Sequence, residues 1–128
     1  MSEIVLDASA MLAVLRGEPG SEKLPVEMLR NAVGSAVNVA EVQTKLVGRG
    51  EDADEAWEDV MSAIGGVVPF TADQARIAGS LVKQTRALGL SLGDRACLAL
   101  GMALKAPIYT ADRSWKGLNL GIRIHVIR

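Results

Sequence analysis

Four carboxylate side chains of this sequence stand next to short apolar segments, in positions from which they could act together. They are Asp7, Glu41, Asp94 and Asp112. Each follows a strand-like segment or opens a helix after one, and ligands of an open parallel sheet bind beyond the carboxyl ends of its strands. Carboxylates gathered there would repel one another unless a divalent cation lay between them. The first hypothesis is therefore a metal-dependent enzyme in which these four acids bind the metal and carry out catalysis.

The oxygen-rich set of candidate ligands favours a hard cation over zinc. Zinc sites are built mainly from clusters of Cys and His, and the sequence has one of each, Cys97 and His125. Mg²⁺ takes oxygen ligands, often one or two carboxylates together with water and phosphate oxygens, and Mn²⁺ has similar preferences. We therefore expect Mg²⁺ or Mn²⁺ as the cofactor.

Each acid also has a simpler structural interpretation, because acidic side chains are common near helix N-termini. Glu41 could complete a capping box with Asn38, and Asp94 could do the same with Ser91. Asp7 could cap the first helix, and Asp112 could form an Asx turn. The functional interpretation requires all four acids to meet at one edge of the sheet.

The order of apolar segments predicts the fold that would bring the acids together. Five segments have the character of strands: residues 4–6, 34–37, 67–70, 107–110 and 122–127. Between them lie helical segments, including residues 21–31, a helix capped by Ser9 and an apolar helix from Ser91 to Leu104. Strands that alternate with helices predict a mostly parallel sheet covered on both faces. The predicted fold is α/β, a three-layer α/β/α sandwich with a mostly parallel central sheet of about five strands.

Length and composition are those of one ordinary globular domain. The 128 residues suit a single domain spanning 1–128, and 14 Lys and Arg nearly balance 15 Asp and Glu. This balance lacks the basic surplus of many nucleic-acid-binding proteins. No apolar segment approaches ~18 residues, we expect no secretory signal, and the lone Cys97 favours a reducing compartment. We expect a cytoplasmic protein without membrane contact.

The four acids lie in four short segments, whose sequences and order along the chain can be compared with those of known families. They are Val5–Ala10, Asn38–Val42, Leu90–Ala96 and Tyr109–Trp115. Together they resemble the signature segments of PIN-domain ribonucleases, and more narrowly those of the VapC toxins of bacterial type II toxin–antitoxin pairs. The similarity extends from Ile4 to Val126.

The resemblance implies a PIN-like fold and a Mg²⁺- or Mn²⁺-dependent endoribonuclease that cuts RNA in single-stranded or loop regions. The four acids match the acidic quartet of the family. Ser9 matches its polar residue after the first acid, and Thr110 its hydroxyl residue before the last acid. Some members have another acid beyond the fourth; Ser114–Lys116 contains none, which predicts a site formed by four acids.

The resemblance also implies partners. VapC toxins usually form homodimers, and a cognate antitoxin inhibits them by inserting a tail into the acidic groove. The expected partners are thus an RNA substrate, an antitoxin protein and a second copy of the chain.

Basic and aromatic residues beside the acids are candidates for RNA contact. Arg95, Arg113 and Lys116 could bind phosphates or could be ordinary solvated charges. Trp115 could stack on a base or, with more support, pack over its own loop. His125, on an alternating strand, is expected to be plain surface.

Other functional classes compete with the ribonuclease interpretation. A receiver domain would have adjacent acids after the first strand and a lysine near the end of the last parallel strand, and both are missing here. A haloacid-dehalogenase-like phosphatase requires Asp-x-Asp, but Ser9 stands at the second acidic position. The remaining alternative is a non-catalytic PIN-like module that binds RNA or protein.

Overall fold

A five-stranded sheet forms the centre of the computed structural model, which describes residues 2–128. Its strands are β1 (Ile4–Leu6), β2 (Ala32–Ser35), β3 (Gly66–Val68), β4 (Ile108–Thr110) and β5 (Ile124–Val126). They lie in the order β3-β2-β1-β4-β5, and every neighbouring pair is parallel. The predicted parallel sheet of about five strands is confirmed, and its carboxyl ends all lie at one edge.

Helices cover both faces of this sheet. The α-helices are α1 (Ala8–Arg16), α2 (Val26–Leu29), α3 (Ala36–Gly48), α4 (Ala53–Ala63), α5 (Ala72–Ser80), α6 (Val82–Thr85) and α7 (Leu92–Leu104). Short 3₁₀ segments add Ser21–Lys23, Arg86–Leu88 and Arg113–Gly117. None of the helices in residues 2–128 is long and apolar enough to cross a membrane.

The central strand β1 shows directly that the fold has three layers. Successive side chains of a strand point to opposite faces. Ile4 and Leu6 pack into a core cluster with α1, α3 and α4, whereas Val5 packs into a second cluster with α7. The α/β/α sandwich predicted from the sequence is therefore confirmed.

The predicted helix over residues 21–31 is wrong. The chain instead forms the 3₁₀ segment Ser21–Lys23 and the single turn of α2. Pro25 explains the break, because proline has no N–H to donate and disfavours helical geometry in the residue before it. Leu24 accordingly has φ −119° and ψ 72°, and Pro25 becomes the N-cap of α2.

The first turns of α1 and α3 also differ from expectation. Asp7, not Ser9, caps α1 by accepting a hydrogen bond from the Ala10 N–H at 2.8 Å. Ser35 caps α3 through its contact with the Val37 N–H at 3.2 Å. The helix thus begins before Asn38, and the predicted capping box between Asn38 and Glu41 is wrong. Both residues lie within α3, where their side chains are free to make tertiary contacts.

A close backbone approach at Gly65, between α4 and β3, gives the first testable prediction. A Cβ atom there would collide with the carbonyl oxygen of Arg30 and lie 3.1 Å from that of Ala32. The backbone cannot easily move aside, because the Gly65 N–H donates to the Ala32 carbonyl at 2.7 Å. We expect Gly65→Ala to lower the free energy of unfolding by about 1–3 kcal/mol, measured by denaturant titration.

Gly79→Ala is the matched control, because a Cβ at Gly79 in α5 would meet no atom within 4 Å. Alanine favours helices over glycine, so this variant should be neutral or up to about 1 kcal/mol more stable. Equal effects of the two substitutions would contradict the proposed collision.

Candidate active site

Asp7 lies directly after β1, and hydrogen bonds fix both of its carboxylate oxygens. The residue is 3% exposed. Oδ1 accepts from the Ala10 N–H at 2.8 Å, and Oδ2 accepts from the Thr110 hydroxyl at 2.6 Å. The Ser9 hydroxyl reaches both oxygens, at 2.8 and 2.9 Å. Ser9 and Thr110 thus lie where hydroxyls would orient an acidic ligand.

The same two hydroxyls tie Asp7 to the segment that carries Asp112. The Ser9 Oγ accepts from the Ala111 N–H at 2.9 Å, and the Thr110 Oγ1 accepts from the Asp112 N–H at 3.0 Å. Asp112 itself is exposed, and its Oδ1 accepts from the Ser114 N–H at 2.9 Å. It therefore makes the Asx turn of the structural interpretation, at the same edge of the sheet as Asp7.

Glu41 is held against the start of α7 by Asn38. The side-chain amide of Asn38 donates to Glu41 Oε1 at 2.9 Å and to the Gly93 carbonyl at 2.9 Å. A Cβ on Gly93 would lie 2.6 Å from Glu41 Oε1 and 2.7 Å from its Cδ. The carboxylate therefore packs where a larger residue would have its Cβ. Asn38 and Gly93 are functional candidates that sequence reasoning missed.

The side-chain oxygen of Asn38, Oδ1, is buried without a hydrogen-bond partner among the described residues. The residue is 1% exposed. Buried amide oxygens normally have a partner. The opposite amide orientation would place this oxygen against the oxygens of Glu41 and Gly93, so the assigned orientation is the favourable one.

Asp94 combines a structural contact with proximity to Asp7. Its Oδ2 accepts from the Ser91 N–H at 2.9 Å, and the Ser91 Oγ accepts from the Asp94 N–H at 3.1 Å. The capping box predicted for this pair is confirmed. The residue is half-buried, and its charge acts on Asp7.

Burial and nearby acidic charges act together on the pKa values of Asp7 and Cys97. Burial raises the pKa of Asp7 from 3.8 to about 6, against hydrogen bonds that lower it, and the charge of Asp94 raises it further. Burial also raises the pKa of the Cys97 thiol, with added contributions from the charges of Asp7, Asp94 and Glu41. Cys97 is fully buried and belongs to the core.

The side chains supply oxygen ligands, the chemistry that Mg²⁺ and Mn²⁺ require, but they are not gathered into a compact group. Among residues 2–128, no three His, Cys, Asp or Glu side chains lie close enough together to hold a metal ion. Asp94 and Glu41 instead accept hydrogen bonds from the Ser91 N–H and the Asn38 side-chain amide, respectively. The donor set therefore fits a hard cation, and its arrangement is one of separate hydrogen-bonded carboxylates.

The basic and aromatic candidates for RNA contact differ in whether their side chains are exposed or are bound within the protein. Arg113 and Lys116 are exposed on the 3₁₀ segment that Asp112 caps. Arg95 instead donates through Nη1 to the Ala78 carbonyl at 2.9 Å, which ties it to α5. Trp115 is 0% exposed and packs in the second core cluster, so the packing interpretation is confirmed and base stacking on this residue is excluded.

The raised pKa of Asp7 predicts a pH-dependent contribution to stability in the presence of a chelator. The folded state binds the Asp7 proton more tightly than the unfolded state, so this contribution is present below pH 3.8 and is lost as pH rises through about 6. A pKa difference of this size corresponds to about 3 kcal/mol. Asp7→Asn removes the titrating group.

The measurement is the free energy of unfolding of wild type and Asp7→Asn at a series of pH values. The difference between the two proteins should move in favour of the variant by about 2–2.5 kcal/mol from pH ~4 to pH ~7. Taking the difference cancels groups common to both proteins. A difference that is constant with pH would show that burial does not raise this pKa.

Comparison with known proteins identifies the family of this chain. The PIN domain family model matches residues 4–119, whereas no curated protein sequence matches. VapC20 of Mycobacterium tuberculosis, a sarcin–ricin loop cleaving toxin, has a similar structure, with 19% identity, a TM-score of 0.74, and coverage of 94% of this chain and 99% of that one. DNA-bound VapBC from Salmonella typhimurium is also similar, with 15% identity, a TM-score of 0.73, and coverage of 100% of both chains.

A further structure, FitAcB from Neisseria gonorrhoeae, gives 16% identity and a TM-score of 0.70, with coverage of 97% of both chains. At these identities the structures show a shared fold. The family match covers most of the sequence and includes the segments that carry all four acids. This chain therefore belongs to the PIN domain family.

Proposed function

We propose that this protein is a metal-dependent endoribonuclease that hydrolyses RNA phosphodiester bonds and acts as the toxin of a toxin–antitoxin pair. The observation that carries the proposal is the buried Asp7 carboxylate, which two hydroxyls orient and on which the charge of Asp94 acts. Membership of the PIN family and the fold shared with VapC20, itself a toxin that cleaves the sarcin–ricin loop, support the same activity.

The charge distribution favours a cation at this site. A carboxylate loses favourable hydration on burial, and a like charge nearby disfavours ionisation further. Both effects act on Asp7, so its charged form is destabilised in the absence of a counter-ion. A divalent cation near Asp7 and Asp94 would reverse both effects and stabilise the ionised pair.

Four acids would hold Mg²⁺ or Mn²⁺: Asp7 and Asp94 as direct ligands, with Glu41 and Asp112 binding directly or through water. Such an ion lowers the pKa of a bound water and neutralises charge on phosphate oxygens. Asp94 accepts from the Ser91 N–H through Oδ2, so its Oδ1 would bind the ion. Arg113 and Lys116, exposed beside Asp112, would contact phosphates of the RNA.

The chain's own residues would fix the geometry of the reaction. Ser9 and Thr110 hold the Asp7 carboxylate in one orientation, and hydrogen bonds of this kind tune metal ligands in other proteins. Asn38 holds one oxygen of Glu41 at 2.9 Å, which leaves the other oxygen to bind an ion or orient a water. The protein thus supplies preorganised oxygens, which is what an in-line displacement on phosphate requires.

The proposed partners are a cognate antitoxin protein and a second copy of this chain, in the cytoplasm. The support is the fold shared with VapBC from Salmonella typhimurium and FitAcB from Neisseria gonorrhoeae. An unregulated ribonuclease would damage its own host, so an inhibitory partner is a functional requirement of the proposal.

One observation favours the alternative, a PIN-like module that binds RNA or protein without cutting. Within residues 2–128 the acids do not form a group of three that could hold a metal. The two functions differ in a direct test of cleavage, because only the enzyme needs its carboxylates to be ionised and metal-bound.

The test of the proposed function is RNA cleavage by purified protein with Mg²⁺ or Mn²⁺, followed on denaturing gels. We expect Asp7→Asn and Asp94→Asn each to reduce the cleavage rate by about 100-fold or more, because removing a ligand removes several kcal/mol of charge stabilisation. Asp59→Asn, exposed on α4, is the matched control and should cleave like wild type.

Two results would contradict the proposal. Cleavage that persists in excess EDTA would exclude the metal mechanism. Failure of the wild type to cut RNA with either metal, while it still binds RNA or a protein partner, would establish the binding module.

Gly93 gives a separate prediction about Glu41. Gly93→Ala would push the Glu41 carboxylate off the start of α7, because the new Cβ would lie 2.6 Å from Oε1. We expect the cleavage rate to fall by about 10–100-fold, as is typical when a group that orients a metal ligand is removed. Gly48→Ala in α3, where a Cβ meets nothing within 4 Å, should have no effect.

A double-mutant cycle separates positioning from a general loss of stability. If Gly93 acts through Glu41, then Gly93→Ala should add no further loss of rate in a Glu41→Ala background, where the side chain that it displaces is already gone. Additive losses in the double variant would show that Gly93 affects the rate by another route.

A further inference from the structure

A second candidate binding site lies on the outer edge of the sheet. It is a pocket of about 440 Å³ beside β5, lined by Lys23, Tyr109, Lys116 and His125 together with apolar residues of the strand. We call these four residues the edge pocket. No acidic residue lines it, in contrast to the site described above.

Two aromatic rings form its floor. Tyr109 in β4 and His125 in β5 are direct partners in the parallel register. Their ring centroids are 4.6 Å apart with an interplanar angle of 21°, a stacked arrangement. Tyr109 is half-buried and His125 is exposed. His125 is therefore the outer ring of a short stack, where a third flat ring could be added.

Two lysines supply positive charge. Lys23 lies in the 3₁₀ segment Ser21–Lys23, and Lys116 lies in the segment that Asp112 caps. Both are exposed. Among the described residues, one ion pair has its charged atoms within 4.0 Å, and it joins Arg128 to Glu18 at 3.7 Å. Neither lysine is neutralised by a carboxylate, so both are available to an anion.

The edge pocket adjoins the acidic site through the backbone. The Tyr109 carbonyl accepts from the Asp7 N–H at 3.2 Å, and the next residue, Thr110, donates its hydroxyl to Asp7. Lys116 shares a 3₁₀ segment with the turn of Asp112. The edge pocket and the acidic site therefore share β4 and the 3₁₀ segment that follows Asp112.

We propose that the edge pocket binds one nucleotide of the RNA substrate flanking the cleaved bond, with its base stacked on His125 and its phosphates beside Lys23 and Lys116. The proposal rests on the ribonuclease function proposed above. An open aromatic face favours a nucleobase over an acidic peptide, because any base can stack on an aromatic side chain, whereas lysines alone would serve either ligand.

Binding of RNA in EDTA tests the pocket without cleavage. The probes are a fluorescein-labelled single-stranded RNA of about 12 nucleotides, a length within the range of single-strand binding sites, and an abasic strand of equal length. Fluorescence anisotropy gives the Kd of each for wild type and variants. Circular dichroism checks that every variant is folded.

The two kinds of side chain should have different effects. His125→Ala should weaken binding of the RNA about fivefold or more and leave the abasic strand unchanged, whereas His125→Phe should keep the wild-type affinity. Replacing Lys23 and Lys116 together by alanine should weaken both strands. It should also reduce the slope of log Kd against log salt by about 0.7 for each phosphate that the protein no longer neutralises.

Matched controls remove the same side-chain types elsewhere on the surface. Trp57→Ala removes an exposed aromatic ring from α4, and Lys83→Ala with Arg86→Ala removes two exposed positive charges near α6. Both controls should bind RNA like wild type.

The proposal is overturned if His125→Ala binds RNA as wild type does, or weakens RNA and abasic strands equally. It is also overturned if the edge-pocket variants keep their RNA affinity but lose binding to an acidic protein partner, which would make the pocket a protein site. Because the assay does not require cleavage, an inactive protein that binds as expected would refute the ribonuclease function and leave the edge pocket as a nucleotide-binding site of an RNA-binding module.

Discussion

The carboxylate of Asp7 is the contact on which the rest of the site depends. It joins the ends of the two central strands, because Ala10 and Ser9 bind it from the β1 side and Thr110 binds it from β4. This bonding satisfies a group that would otherwise be costly to bury, yet burial still raises its pKa to about 6. The result is a fixed, partly destabilised anion at the point where a phosphate-cutting enzyme would place a cation.

The number of strands and the approximate positions of most of them could be predicted from the sequence, because they depend on local pattern. The strand predicted over 34–37 instead spans Ala32–Ser35, and residues 36–37 open α3. Short apolar segments followed by Asp or by a capping residue indicate where a strand ends and a helix begins. The Ser91–Asp94 capping box is one such case, and it forms as predicted. The same local reasoning fails at Asn38, because Ser35 is an equally good cap three residues earlier and lies directly at the end of the buried strand.

The contacts that fix Glu41 and Arg95 could not be predicted, because their partners are distant in sequence. Asn38 binds the carbonyl of Gly93, 55 residues away, only because α3 packs against α7. Arg95 is turned toward α5 by the carbonyl of Ala78, and nothing in its own segment indicates this partner. Gly93 directly precedes Asp94 in the sequence, but the need for a glycine there depends on the Glu41 carboxylate, which packs against it only in the folded structure.

The hydrogen bond between Thr110 and Asp7 spans 103 residues of the chain, and this separation has a consequence for biosynthesis. A chain still emerging from the ribosome carries Asp7, Glu41 and Asp94 well before it carries Thr110. Until β4 has been made and has docked beside β1, Asp7 has only its local partners, Ser9 and Ala10. An incomplete chain therefore lacks the Thr110 hydroxyl that binds Oδ2 of Asp7, and the contacts of this carboxylate are complete only when almost the whole domain has been synthesised.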